Sequence, residues 1–585
     1  MFSRLASMSP LNPPLSSHAA LPFALAFAGA LALFAGCSST DEHESAADDE
    51  VYGIVSERRS ELGEVESFSI TPALNSLRQR ILRGEELEGL AALTLVQCQR
   101  IAAENSRDYQ ARREALYLAA LDLTLERYQF GYRIDVGGGV GVSGGDSGAE
   151  GLNADGSLTL RKVMGNGANV VLDLGANLFK SLAQGDFKEL FSSIGLTITK
   201  PLLAGASKEA IFESLTRAER RVIDQSRTYE RFRRTFAVDM FSRYWRVLEE
   251  VEVVKNEVTN FEQLQALRER NVALGEAGRM ADIEVGEALQ DELSAEVRVI
   301  SAKQRLEGLL DDLKFFLGLP VEVELGLDSA LFLAMNNEGI SVVRVNEDAA
   351  VAIAVASRFD LATDLDNVSD AERSLRIATE DMGTRLDMTV AANGSSQVHS
   401  DGSFDSAAID WDVGFDVNLP VDRLAERNRL RSARISLDVA KRAAFETADR
   451  IRLDLRDDLR RLKAAEDNFL IAENSVPLAE RRVESATLRL EAGLIDTRPL
   501  LDARTSLLQA QNSRINALVD YKLASLELFL DMEQLDVDET GVRPRSLSIV
   551  TTQSASTDVE DVGSQETKNG APSSQNTGEP AKEGR

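Results

Sequence analysis

Between Gly205 and Gly275 the chain carries neither glycine nor proline. Apolar residues recur through this run at Ile211, Leu215, Ala218, Val222, Tyr229, Phe236, Met240, Val247, Val251, Val254, Val258 and Phe261, in steps of three, four and seven. That spacing keeps one face of an α-helix apolar. An unbroken helix of about 70 residues would reach ~100 Å at 1.5 Å per residue. No compact domain buries such a rod, and a single apolar stripe requires other helices laid alongside it. A second rod follows with Leu430, Ala433, Leu437, Ala440, Ala444, Ile451, Leu455, Leu459, Leu462 and Phe469 on its stripe. Pro477 falls within it and is expected to kink it. The 585 residues are therefore not a string of globules of ~150 residues each.

The two rods belong to an internal repeat. Ala103-Glu104-Asn105-Ser106-Arg107-Asp108-Tyr109 pairs with Val355-Ala356-Ser357-Arg358-Phe359-Asp360-Leu361 at an offset of 252, and Arg133-Ile134-Asp135-Val136 pairs with Arg385-Leu386-Asp387-Met388 at the same offset. Gly195-Leu196-Thr197-Ile198 and Pro201 pair with Gly414-Phe415-Asp416-Val417 and Pro420 at 219. Glu276-Ala277-Gly278 pairs with Glu491-Ala492-Gly493 at 215, and Leu313 to Leu317 with Leu526 to Leu530 at 213. Each copy reads helix, strands, long helix, tight turn, helix. The fall from 252 to 219 marks a 33-residue insertion in the first copy. It holds the Gly-rich stretch 137 to 148 and a possible hairpin, Leu158 to Leu174 around Gly165-Asn166-Gly167. Periodicity leaves open whether it adds strands or an outer loop.

The strands alternate sharply. Trp411, Val413, Phe415, Val417 and Leu419 alternate with Asp410, Asp412, Gly414, Asp416 and Asn418. Leu386, Met388, Val390 and Ala392 alternate with Asp387, Thr389, Ala391 and Asn393. A period of two gives each strand one apolar and one wet face. Two readings fit: a transmembrane barrel with its apolar face to lipid and Asp410, Asp412 and Asp416 toward a watery lumen, or a soluble antiparallel sheet with one solvated face.

The N-terminus favours the barrel. Residues 19 to 36 are an unbroken apolar run that ends at Cys37, as in a secretory signal. Phe34-Ala35-Gly36-Cys37 resembles a bacterial lipobox, which implies acylation of Cys37, although Phe34 stands where Leu is usual. An ordinary signal peptide or an anchor helix is the alternative. Ser38 after the cysteine resembles lipoproteins sorted to the outer membrane. Several acyl chains, at ~0.8 kcal/mol per buried CH2, would anchor the chain firmly. Residues 37–90 then read as a lipid-anchored acidic leader, a tether over 38–66 where periodicity is slight, and 532–585, with few apolar residues, as a disordered tail.

Composition excludes other classes. Lys and Arg total 65 against 95 Asp and Glu, a formal charge of -30, which opposes a nucleic-acid surface. Two cysteines and three histidines (His18, His43, His399) leave neither a disulfide scaffold nor a His-based metal site. Cys98 reads as a small buried hydrophobe. Gly139-Val140-Gly141-Val142-Ser143-Gly144 matches a dinucleotide-binding string but opens no helix. Gly145-Asp146-Ser147-Gly148 has no His and Asp constellation to go with it. No catalytic residue, metal or cofactor is expected.

The order of motifs resembles the TolC-like outer-membrane efflux proteins. Leu93-Thr94-Leu95 with Ala102 and Asn105 resembles their opening helix. Thr199-Lys200-Pro201-Leu202-Leu203 before Gly205 resembles their passage from strand to helix. Glu276-Ala277-Gly278 and Glu491-Ala492-Gly493-Leu494-Ile495 resemble their hairpin turns, and Phe316-Leu317-Gly318-Leu319-Pro320 the end of their first repeat. The match spans roughly residues 91 to 531.

The resemblance implies a mainly α fold with a β-barrel part. Long antiparallel helical hairpins from three chains would form an α-barrel tunnel across the periplasm. About four strands per chain would close a transmembrane barrel. The expected segments are a signal peptide (1–36), the leader, a first repeat (91–320, strands within 134–200, tip near 275–282), a connector (321–344), a second repeat (345–531, strands 386–393 and 409–419, tip near 492–500) and the tail. The implied function is the passive outer-membrane duct of a tripartite efflux or type I secretion system. Its partners would be two further copies, a periplasmic adaptor, an inner-membrane pump and outer-membrane lipid.

In such proteins the hairpin tips meet the adaptor, which points to Gly278, Arg279, Met280 and Ala281 and to Gly493, Leu494, Ile495, Asp496 and Thr497. Either Asp496 or Thr497 would cap the next helix, with Pro499 in its first turn. Acids just past the tips would ring the entrance: Asp502, its counterpart Glu287, and Glu284 one turn earlier. The rival reading is an envelope spacer, a coiled-coil lipoprotein without a pore. A spacer has no use for the alternation from Trp411 to Leu419.

Overall fold

The computed structural model describes residues 39–61, 68–71, 75–85, 90–145, 148–181, 187–399, 408–419, 421–538, 541–545 and 551–554. The signal segment and Cys37 lie outside the described residues. The elements run α1 (Thr40–Glu61), α2 (Leu77–Leu82), α3 (Leu95–Asn105), α4 (Arg107–Phe130), β1 (Arg133–Gly145), β2 (Gly148–Val163), β3 (Asn169–Ser181), β4 (Phe187–Pro201), α5 (Lys208–Ile211), α6 (Glu213–Glu276) and α7 (Asp282–Phe316). Then come α8 (Ala330–Glu338), β5 (Ser341–Arg344), α9 (Glu347–Ser357), α10 (Phe359–Glu380), β6 (Arg385–His399), β7 (Ala408–Asn418), α11 (Leu424–Glu491), α12 (Arg498–Asp531), β8 (Leu535–Asp538), β9 (Gly541–Pro544) and β10 (Thr551–Ser554). Element starts fall at the spacings of the sequence repeat: β1 and β6 begin at Arg133 and Arg385.

The rods α6 and α11 span 64 and 68 residues, close to 100 Å each at 1.5 Å per residue. Pro477 sits inside the continuous α11. Each rod turns back into an antiparallel partner, α7 or α12. Helix α7 packs on α6, α6 on α12, and α12 on α11, so the hairpins form one layer with α7 and α11 at its edges. Two apolar cores hold the layer near the sheet end. The first gathers Leu116, Leu123, Met240, Trp245 and Leu313 around Tyr244, whose hydroxyl lies 2.7 Å from the Asp328 carbonyl oxygen. The second gathers Ile451, Leu455, Leu518 and Leu528 around Tyr521, whose hydroxyl donates to the Ser341 carbonyl at 2.9 Å. Cys98 lies fully buried in the first core, and burial pushes its thiol up to about 12.

One antiparallel sheet has six strands in the order β1-β2-β3-β4-β6-β7. The register keeps the two faces separate across it. Val136 faces Leu158, Leu158 faces Leu174, and Leu174 faces Ile194. Ile198 faces Val390, and Val390 faces Val413. The other face carries Asp135, Thr159, Asp173, Asn393 and Asp410. Nothing in the described chain covers the apolar face: Val140, Ile194, Trp411 and Phe415 are all exposed, Trp411 by 75%.

Three expectations are corrected. The sheet has six strands per chain rather than about four, because the insertion supplies the hairpin β2–β3. It turns at Gly165-Asn166-Gly167, where Gly167 takes φ 80° and the Met164 amide donates to the Ala168 carbonyl at 2.8 Å.

The leader is not a free tether over its described residues. Helix α1 buries Val51, Ile54 and Val55 against the first core, and Arg59 meets Glu230 of α6 at 2.7 Å. One turn of apolar residues is a weak periodic signal, and tertiary contact holds the helix.

The tail is ordered at its start. Strands β8 and β9 pair, Leu535 is fully buried beside Val238 and Phe529, and Arg231 and Arg234 of α6 hold Glu533 at 3.0 and 2.8 Å. Strand β10 pairs with β5. These ion pairs reach across roughly 300 residues of sequence, where composition cannot read them.

Candidate functional site: the hairpin tips and the sheet

Both tips are built by the same turn chemistry. Helix α6 ends as Gly278 takes φ 68° and the Arg279 amide donates to the Leu274 carbonyl at 2.8 Å. Helix α11 ends as Gly493 takes φ 69° and the Leu494 amide donates to the Arg489 carbonyl at 2.9 Å. This six-to-one bond requires a left-handed residue after the helix, which glycine adopts without strain. Gly278, Arg279, Ala281, Gly493, Leu494 and Asp496 are exposed, Met280 and Ile495 half-buried, and Thr497 buried. Leu494 and Ile283 are each 74% exposed at the two turns, so apolar side chains stand in water at the tips.

Thr497 occupies the capping position of α12, but its side chain makes no capping bond. It accepts instead from the Asn271 side-chain amide of α6 at 3.2 Å, with both residues buried. Around this bond Leu264, Leu267, Ala295, Leu500 and Leu501 form a core that joins the two hairpins. No sequence signal marked Asn271.

Beside the acids expected at the entrance lies one absent from the expected set. Glu287 and Asp291 lie one turn apart on α7, and Asp502 and Arg498 on α12, where Arg498 Nε sits 3.3 Å from Asp502 Oδ1. Burial holds the Asp291 carboxyl above the usual carboxylate range; Asp502 and Glu287 push the same way, and Arg498 and Arg298 oppose them. The spacing from Glu287 to Asp291, four residues on one helix face, was the available signal. Glu284 is half-buried in the first turn of α7.

Asp410, Asp412 and Asp416 are exposed on the wet face of β7, opposite Asn393, Ala391 and Asp387 of β6. On α7, Leu289, Leu293, Val297 and Ile300 form an exposed apolar stripe at the edge of the helical layer. On α11, at the other edge, Ile471, Leu478 and Leu488 are exposed. Among the described residues no group of His, Cys, Asp and Glu could hold a metal ion, and no helix is long and apolar enough to cross a membrane.

Paired long hairpins continued by an antiparallel sheet form the fold of solved outer-membrane channels. The chain is similar to the CmeC outer membrane channel of Campylobacter jejuni, at 14% identity and TM-score 0.55 over 75% of this chain and 85% of that one. It is equally similar to the outer membrane protein VceC of Vibrio cholerae, at 14% identity and TM-score 0.55 over 75% and 95%. The open MtrE outer membrane channel of Neisseria gonorrhoeae aligns at 12% identity and TM-score 0.54 over 77% and 93%. At these identities the likeness shows the fold. The family model of the outer membrane efflux proteins matches residues 351–530, from within α9 to the last turn of α12. No curated protein matches the chain.

Proposed function

We propose that this chain is the passive outer-membrane duct of a tripartite efflux or type I secretion system, working as a homotrimer. The observation that carries the reading is the sheet: its apolar face is uncovered and its opposite face is lined with carboxylates and amides. An open sheet cannot lie in lipid with unpaired edges, so only a closed barrel satisfies its backbone. The apolar stripes on α7 and α11 support the same assembly, since in a ring each would meet the other from the next copy. The tips would dock a periplasmic adaptor through exposed Leu494 and Ile283 and the turns around them, and an inner-membrane pump would drive export. Acylation of Cys37 would hold the chain at the outer membrane.

Reconstitution into a planar bilayer tests the reading. The duct predicts heat-modifiable trimers that conduct ions. An extractable, all-helical protein that never conducts would instead be an envelope spacer. Replacement Cys37→Ala is expected to abolish lipid labelling.

A further inference from the structure

Strands β1 and β7 are the edges of the six-stranded sheet; each has one neighbour among the described strands. They span 13 and 11 residues. A long, flat edge with apolar side chains is an unfinished ladder that templates another strand. Because strand directions alternate across an even number of strands, β1 and β7 run antiparallel to each other. The β7 edge of one copy therefore suits the β1 edge of the next with no reversal of chain direction.

The faces also match. On the apolar side β1 offers Ile134, Val136, Val140 and Val142, all exposed, and β7 offers Ile409, Trp411, Val413, Phe415 and Val417, all exposed. On the wet side β1 carries Gly137, Gly139 and Gly141 where β7 carries three aspartates. Within the chain this glycine row already receives an acid from its other flank: a Cβ on Gly139 would stand 2.8 Å from Asp155 Oδ1. At Gly141 a Cβ would meet nothing. Asp410, Asp412 and Asp416 need the same room beside a neighbouring strand, and a row without side chains supplies it.

We propose that β1 of one copy pairs with β7 of the next, so that three copies of this six-stranded sheet close a barrel of eighteen strands. The inference rests on the trimeric duct reading and changes its dimensions. At ~4.8 Å between strands and a tilt of ~40°, twelve strands give a backbone radius of ~12 Å and eighteen give ~18 Å. The cross-section roughly doubles, and an aqueous channel of porin width results. The hairpin β2–β3 is then wall rather than outer loop, with Leu158, Leu160, Leu172 and Leu174 toward lipid and Thr159 and Asp173 toward water.

Cysteine crosslinking in outer membranes that hold the full chain tests the seam. Single cysteines in β1 (Val136→Cys, Val140→Cys) are combined with single cysteines in β7 (Trp411→Cys, Val413→Cys, Phe415→Cys). Oxidation should give a ladder of dimers and trimers for same-face pairs and none for Val140→Cys with Asp412→Cys. A lipid-soluble maleimide should label Leu160→Cys and Leu172→Cys, and a water-soluble one Thr159→Cys. A helical-edge pair, Val297→Cys with Ile471→Cys, reports on trimers independently of the sheet. Trimers through the helical pair without a seam ladder overturn the proposal, as does an intrachain link between Val136→Cys and Ile194→Cys. Failure of both ladders overturns the duct reading beneath it.

Discussion

The Asn271 side-chain amide donates to the Thr497 hydroxyl across 3.2 Å in the buried junction between the two hairpin tips. It ties the last turns of α6 to the first turn of α12. The two tips are thus joined through a shared buried contact. Opening them as separate levers would first break this bond or carry it along.

Asn271→Leu and Thr497→Val should each loosen the tip by about 1–3 kcal/mol, the cost of leaving one buried polar partner unsatisfied. The double variant should cost less than the sum of the singles, since it removes both partners. Hydrogen exchange of amides in 490–500 measures this, and protection equal to that of the parent protein in both singles would refute it.

Arg59 of α1, Glu230 and Arg233 form a buried ion cluster, with Glu230 accepting from each arginine at 2.7 Å. Glu230→Ala leaves two buried guanidinium groups without their shared carboxylate. Breaking a buried pair in this way costs about 3–5 kcal/mol. The apparent Tm should fall, and a protease should remove α1 before it cuts α6. An intact α1 at a lowered Tm would show that the apolar contacts of Val51 and Val55 suffice to dock it.

Asp458 of α11 is buried, and one of its oxygens meets no donor among the described residues. Burial, with Asp531 beside it on α12, pushes its carboxyl up to about 7. A carboxyl that folding makes harder to ionise binds its proton more tightly in the native state. Stability is then full below the ordinary carboxylate range and falls as pH rises from about 4 toward 7. Asp458→Asn, which stays neutral, should flatten that part of the stability profile. Denaturant midpoints at several pH values are the measurement, and an unchanged slope in the variant would assign the pH dependence to other groups.

Charge at the entrance should act on permeation. Asp502→Asn removes one of the two negative charges that raise the Asp291 carboxyl, so Asp291 should ionise at lower pH in the variant. Block by divalent cations should weaken several-fold in single-channel recordings. Equal block in variant and parent would remove Asp502 from any gating role.

Much of the architecture could be read from local pattern. The absence of glycine and proline from 206 to 274 required a rod, and Gly278 and Gly493 placed the turns of the two hairpins. Alternation from Trp411 to Leu419 separated a lipid-suited face from a wet one. The insertion was visible as a change of offset but not as structure, because a Gly-rich strand such as β1 carries few side chains for a periodic pattern to show. The leader failed for a related reason: Val51, Ile54 and Val55 make one turn of stripe, and acidic neighbours dominate its composition. At the tips, the turns could be read from sequence, whereas the surroundings of Asp291 and Asn271 arise only because α7 and α6 each meet α12 there.

By itself the sequence determined which segments are rods, where the hairpins turn and which side of β6 and β7 is apolar. These depend on side-chain periodicity along neighbouring residues and on the backbone freedom of single glycines. Only the tertiary structure decided that six strands share one sheet, that α1 and β8–β9 dock on α6, and that β1 and β7 are left as edges. Those outcomes depend on ladders and buried ion pairs between residues up to three hundred positions apart, such as Arg234 and Glu533. Burial sets their strength, and burial is a property of the packed whole.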